Sequence, residues 1–503
     1  MVTAFRATIA FGLLAGFYVL VAAVIGAAVL VDVAVLRHVT AGSLKIAIVL
    51  TLAALALLRG LILVNRRGRQ EEPGVGVGRG DEPVLWQTVE ELAARVGTRP
   101  PDEIRLVAEV NAAVREDTSW LGLRAGRRIM YVGLPLLMTL SVDEMRAVLG
   151  HELGHYSGAH TRLGAPVYRG RIAVLAAVAS LRNHAFIQKL FSLYARLFLR
   201  VSQAVSRRQE LEADRFAAAV ASREAAGNAL RKVHGTADVW DLFIERYVGM
   251  TGMAGSRPAD LFGGFHALAD ARRTEIAQAD EGGEGAGPYD SHPSLPERLA
   301  AIAVLQDVPH TRDPRPALAL LRDPAVAARA VEQTFWTEEA LKLRPLPWEE
   351  MVAQGMYVGV NDEALQDLSA AGQRVAGGPG PSLDAALEAL ARGQAAALHE
   401  ELVRLGWRPS PDLVAKVLAR AVEGVLIAGG RARWTLSWTG PATLRDTTGK
   451  EVDVEEYAAR IAADPAQVPG MRQWFAQIGV SLRPQTPVTP DTGRGPGQAV
   501  QRV

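Results

Sequence analysis

Apolar and charged positions divide this chain into segments of different character. Residues 7–31 carry no charged side chain over 25 positions. A bilayer-spanning helix needs about 20 apolar residues, whereas the apolar core of a cleaved signal runs ~7–15, so the stretch predicts a transmembrane helix. A second span is expected over roughly 43–64, where Lys45 and Arg59 lie towards the ends and can reach the interface. Residues 68–82 are Gly- and Pro-rich and polar, as in a tether. An amphipathic helix is expected at 83–97. IRLVAEV at 104–110 and RIMYVG at 128–133 predict strands, joined through a polar stretch with Gly122 and Gly126. Ser141 and Glu144 then form an S-x-x-E capping box, with Met145, Val148, Leu149 and Leu153 following at helical spacing.

The pattern over 165–204 supports two readings. Ile172–Leu181 is apolar but too short to span a membrane. Further on, Phe186, Leu190, Leu193, Leu197 and Val201 share one helical side, with Lys189, Arg196 and Arg200 opposite. One reading is a helix packed in the core with a solvated basic face; the other is a helix lying on the membrane surface. Residues 280–290 predict a flexible loop, and SHPSLPERLAAI returns to helix. Short helices are expected over 312–430, a strand at 433–440, a hairpin around Thr447-Thr448-Gly449, and a disordered Pro-, Gly- and Thr-rich tail at 483–503.

Composition narrows the function classes. The chain has 503 residues and a net charge of +1. That length permits two or three domains, and that charge offers no electrostatic footprint for nucleic acid. It has no cysteine, which excludes a disulfide framework and any thiolate metal site. Arg66, Arg67 and Arg69 follow the second span and Arg6 precedes the first, while Arg37 is nearly alone between them. The positive-inside rule then puts the residues after the second span in the cytoplasm.

Chemistry is concentrated in His151-Glu152-Leu153-Gly154-His155, a match to H-E-x-x-H. On a helix, positions i and i+4 share a face, so two imidazoles can hold one zinc ion, with Glu152 placed to take a proton from water. Glu210-Leu211-Glu212-Ala213-Asp214 fits E-x-x-A-D. Here Glu210 suits a third ligand, and Asp214 suits the partner that holds a ligating imidazole in place. The competing pattern H-E-x-x-H-x-x-G-x-x-H is approached but not met. Gly158 is in place, yet His160 comes one residue early, a turn of about 100° on a helix.

HELGH, ELEAD about sixty residues later, and Ser291-His292-Pro293 with Glu297-Arg298 together resemble the HtpX-like and CAAX-prenyl-protease-like membrane zinc metallopeptidases, over roughly residues 82–305. The resemblance implies that His151, His155 and Glu210 bind one Zn2+ per chain and that Glu152 is the general base. It places His292 near the site, where it orients substrate, steadies the oxyanion or serves the structure; Asp214 and Arg207 are expected, from the residues themselves, behind the ligands. Relatives pair extended substrate with an edge strand, a role expected of the strand leading to Asn111.

The expected fold is α+β and mainly helical: a two-span anchor (1–66), a linker (67–82), a gluzincin-type peptidase domain with a small sheet (83–308), a mostly helical extension (309–482) and a tail (483–503). The expected activity is a membrane-anchored zinc endopeptidase, multi-pass in the cell membrane with its catalytic domain in the cytoplasm. Its expected partners are the bilayer and membrane-associated or misfolded protein or peptide substrates. The alternative is a gated or catalytically silent scaffold with a structural zinc, which would not need Glu152.

Overall fold

The computed structural model describes residues 2–37, 41–66, 72–119, 124–157, 174–175, 177–181, 185–279, 293–307 and 311–482. His160, His292, the loop 280–290 and the tail 483–503 lie outside them. The chain forms two compact units, Met1–Ala237 with Thr274–Thr334, and Asp238–Arg273 with Phe335–Val503. Both are mainly helical with small sheets.

In the first unit, helices α1 (Val2–Arg37) and α2 (Ala41–Arg66) open the chain. Among the described residues, one segment, Phe11–Val35, is long and apolar enough to cross a bilayer. Leu14, Phe17 and Val21 of α1 and Ala53 and Leu57 of α2 share a buried cluster with Val174, Ala177 and Leu181.

The same cluster takes in Ile187, Phe191, Ala195 and Phe198 from a 36-residue helix spanning Ala185–Val220. Of the two expectations for the side of Leu190, Leu193 and Leu197, packing in the core is not met: they are 47%, 66% and 51% exposed. The helix is apolar on two faces here, and the aromatic-rich face wins the protein contact. Phe17 meets Phe191 edge-on at 5.9 Å, a favourable aromatic geometry.

Helix α3 (Pro83–Val96) forms as expected and ends on Gly97 in the left-handed region at φ 78°, a common helix stop. A four-stranded sheet follows from β1 (Val75–Val77), β2 (Glu103–Val107), β3 (Ala112–Ser119) and β4 (Arg124–Gly133), in the order β1-β2-β4-β3. β1 is antiparallel to β2, β2 is parallel to β4, and β4 is antiparallel to β3.

This order corrects the expected edge strand. β2, which leads to Asn111, is paired on both sides and has no free edge for a substrate; among the described residues the outer strands are β1 and β3. In the sequence β3 looks like a polar connection because it carries Arg115, Glu116 and Asp117. Charges of that kind are common on edge strands, where they discourage unwanted pairing.

After α4 (Leu134–Thr139) comes α5 (Val142–Gly154), opened by the expected capping box: Glu144 N–H donates to Ser141 Oγ at 3.3 Å, and Ser141 N–H to Glu144 Oε2 at 2.8 Å. Lys232 Nζ pairs with the same carboxylate at 2.8 Å. The long helix Ala185–Val220 is α6, followed by α7 (Arg223–Arg246) and α8 (Leu295–Ala303). A second capping box, Ser294 with Glu297, starts α8.

The second unit is a set of short helices with a two-stranded antiparallel hairpin, Ala432–Thr435 with Thr443–Asp446. Its main core joins Leu368, Leu387, Leu402, Val417, Leu418 and Phe475 among others. One turn of π-helix, Tyr357–Asp362, carries the fully buried Asn361. Its amide donates to Glu423 Oε2 at 2.9 Å and to the Arg420 carbonyl at 3.1 Å, and its oxygen accepts from Trp434 Nε1 at 2.7 Å. Burial raises the Glu423 carboxyl above its ordinary range, outweighing the Asn361 hydrogen bond that lowers it.

Candidate metal centre

α5 brings the two histidines to its last turn. His151 lies inside the helix and His155 caps it in helical geometry (φ −60°, ψ −19°). Their Nε2 atoms face each other at 3.2 Å. α6 supplies the acids, because α5 and α6 pack closely. A Cβ on Gly154 would come within 2.9 Å of the Phe216 ring, and one on Gly150 would overlap Val220. Glycine at these two positions lets the helices approach and puts Glu210 against the histidines.

Glu210 Oε2 lies 3.6 Å from His151 Nε2, and Oε1 lies 3.8 Å from His155 Nε2. All three donors fall within 4.8 Å of one another. Four donors at zinc's usual bond lengths sit about 3.3 Å apart in a tetrahedron; the two nitrogens are 3.2 Å apart, and each faces a different oxygen of Glu210, at 3.6 and 3.8 Å. Two imidazoles and a carboxylate are also a common three-ligand set for a zinc site with an open fourth position. The donor set and its spacing fit the ion.

The surroundings order these side chains. His151 Nδ1 lies 3.1 Å from Asp214 Oδ1. Asp214 is buried and receives two hydrogen bonds from Arg298 on α8, from Nε at 2.9 Å and from Nη2 at 2.5 Å. Arg298 Nη1 is 3.7 Å from Glu210 Oε2. Thus the third sequence motif enters the centre through Arg298, to which the sequence reading gave no role. Its distance from Asp214, 84 positions along the chain, leaves no local pattern to detect.

The electrostatics follow from this packing. Burial alone would lower the His151 pKa, but Asp214, Glu210 and Glu152 overcome it and raise it to about 9. His155 is lowered to about 4 by burial and by the neighbouring His151. Two imidazoles at contact cannot both hold a proton, and the acids decide which one does. Burial pushes the Asp214 carboxyl up, yet Arg298 and His151 hold it below its ordinary value.

Glu152 is half-buried beside the pair, and its charge acts on both His151 and Arg298. Among the described residues, Arg207 is half-buried with no hydrogen-bond partner for its Nε. Arg208 turns outward to pair with Glu212 at 3.1 Å.

No curated protein matches this chain, and no solved structure does. The model of Peptidase family M48 matches residues 81–305, a span that contains both α5 histidines, Glu210, Asp214 and Arg298. Over this stretch the chain is similar to Peptidase family M48.

Proposed function

We propose that this protein is a membrane-anchored zinc endopeptidase whose peptidase domain, residues 83–308, lies in the cytoplasm. The observation that carries the reading is the joint placement of His151, His155 and Glu210, with their donor atoms within 4.8 Å and Glu152 beside them. In this reading His151, His155 and Glu210 hold one zinc ion. When bound, zinc supplies a Lewis acid and makes water a nucleophile at neutral pH.

The chain's own residues do the rest. Glu152 accepts the proton from the attacking water and returns it to the leaving amine. Asp214 accepts from His151 Nδ1–H and so directs Nε2 towards the metal site, the arrangement that fixes a ligating imidazole. Arg298 keeps Asp214 ionised and pointed at His151. His292 steadies the oxyanion or orients substrate, in keeping with the resemblance. An extended substrate pairs along the outer side of β3, where main-chain hydrogen bonds tolerate many sequences.

Both α1 and α2 cross the bilayer in this reading, with the arginines at 66–69 on the cytoplasmic side. The cluster shared by α1, α2, residues 174–181 and the first half of α6 supports a larger embedded bundle. Its outward leucines, Leu190, Leu193 and Leu197, are exposed, and face lipid in this reading. Substrates are then membrane-associated or misfolded proteins, as in membrane quality control.

Cleavage of casein by the full chain in detergent, after chelation and again after zinc is restored, tests the activity. Loss and recovery with zinc are expected; cleavage that persists in the chelated protein, confirmed zinc-free by mass spectrometry, contradicts the reading.

A further inference from the structure

α5 ends on His155, and the next residue, Tyr156, is tied to three places. Its hydroxyl donates to the Val114 carbonyl of β3 at 2.6 Å. Its own carbonyl accepts from Thr98 Oγ1 at 2.9 Å. The Arg128 guanidinium of β4 lies 4.6 Å from the centre of its ring, within cation–π range. Arg128 is buried and closes the circuit, donating to Thr98 Oγ1 at 3.0 Å and reaching Glu116 of β3 at 3.2 Å. None of these contacts touches the histidines or the acids of α6.

Among the described residues β3 pairs with β4 and lies at the end of the sheet order, so the described sheet fixes its position from the β4 side. A substrate strand laid along it inherits that position, so slack in β3 loosens the main-chain pairing that binds a long peptide. We infer that Tyr156 is a positioning residue. It holds the edge strand at a fixed distance from the metal-binding histidines, so that a peptide paired with β3 meets them in register. This rests on the strand-pairing reading above. The hydroxyl and the ring have separable parts: phenylalanine keeps the ring under Arg128 and loses the donor to Val114.

The test is Tyr156→Phe in the full chain, in detergent with zinc. Zinc content, hydrogen exchange over residues 112–119, and kinetics on a long and a short peptide are measured beside the parent. The expected result is unchanged zinc, faster exchange over 112–119, and a KM for the long peptide raised roughly fivefold, the worth of one ordinary hydrogen bond. Its kcat and the short peptide's kinetics change less. Unchanged exchange over 112–119 overturns the inference whether or not the protein cleaves anything. Zinc lost from the variant overturns it too, since Tyr156 would then be supporting α5 itself. A parent protein that cleaves neither peptide, with zinc bound, counts against the peptidase reading, and the exchange result still decides whether Tyr156 holds the strand.

Discussion

Arg298 and Asp214 are joined by two parallel hydrogen bonds, Nε to Oδ2 at 2.9 Å and Nη2 to Oδ1 at 2.5 Å. Paired in this way, an arginine fixes the plane of a carboxylate as well as its charge. Asp214 in turn lies 3.1 Å from His151 Nδ1. The relationship links α8, α6 and α5 in one line that ends at the candidate metal centre.

Removing Arg298 leaves Asp214 buried and half-partnered. Arg298→Ala is expected to weaken zinc retention about 10- to 100-fold, the usual cost of losing a residue that supports a ligand, and to lower thermal stability. Arg298→Lys restores the charge but not the fork and is expected to fall between the two. Titration against a fluorescent chelator measures this. Zinc affinity equal in all three proteins would contradict the role.

Glu210 and His160 can be told apart by metal content. Glu210 lies against both histidines, whereas His160 is out of step with the longer three-histidine pattern. Glu210→Ala is expected to lose most bound zinc, and His160→Ala to keep it. Mass spectrometry of the two purified variants is sufficient. Zinc lost only from the His160 variant would reassign the third ligand.

The absence of cysteine makes every introduced thiol the sole one. Leu193→Cys is expected to resist a water-soluble maleimide in membrane vesicles and to react with a lipid-soluble one. Arg79→Cys, at a residue whose side chain is 58% exposed, is expected to label from the cytoplasmic side. Rapid aqueous labelling at position 193 would remove the embedded-bundle reading.

Glu423 gives a pH-dependent prediction in the second unit. Its folded pKa is raised by burial from an ordinary value of 4.5. Its stabilising contribution is therefore complete below the unfolded pKa and is lost as pH rises through the folded one. Glu423→Gln keeps an acceptor for the Asn361 amide and cannot ionise. Its melting temperature is expected to match the parent's at acid pH and to exceed it by a few degrees at neutral pH. The opposite order at neutral pH would show that the ionised form is the stabilised one.

What could be read from the sequence depended on how local each feature was. Helix α5, its capping box and the i, i+4 histidines were legible because three to four residues define each. Glu210 and Asp214 were legible as a motif on one helix face. Arg298 was visible as a letter in a motif, but its partner is distant in sequence. β3 was hidden because an edge strand with one paired side can carry charges that a buried strand cannot. The packed face of α6 stayed open between two readings because both its faces are apolar, and only the contact of Phe17 with Phe191 and its neighbours decides which one meets protein.

The central claim is that Glu152 moves the proton in a zinc-dependent hydrolysis. The most direct measurement compares the full chain with Glu152→Gln, in detergent with zinc, scoring casein cleavage and bound metal together. The expected result is equal zinc in both proteins, with cleavage by the parent and at least about a 100-fold loss in the variant. Equal cleavage by both proteins, with zinc bound in each, would contradict the account.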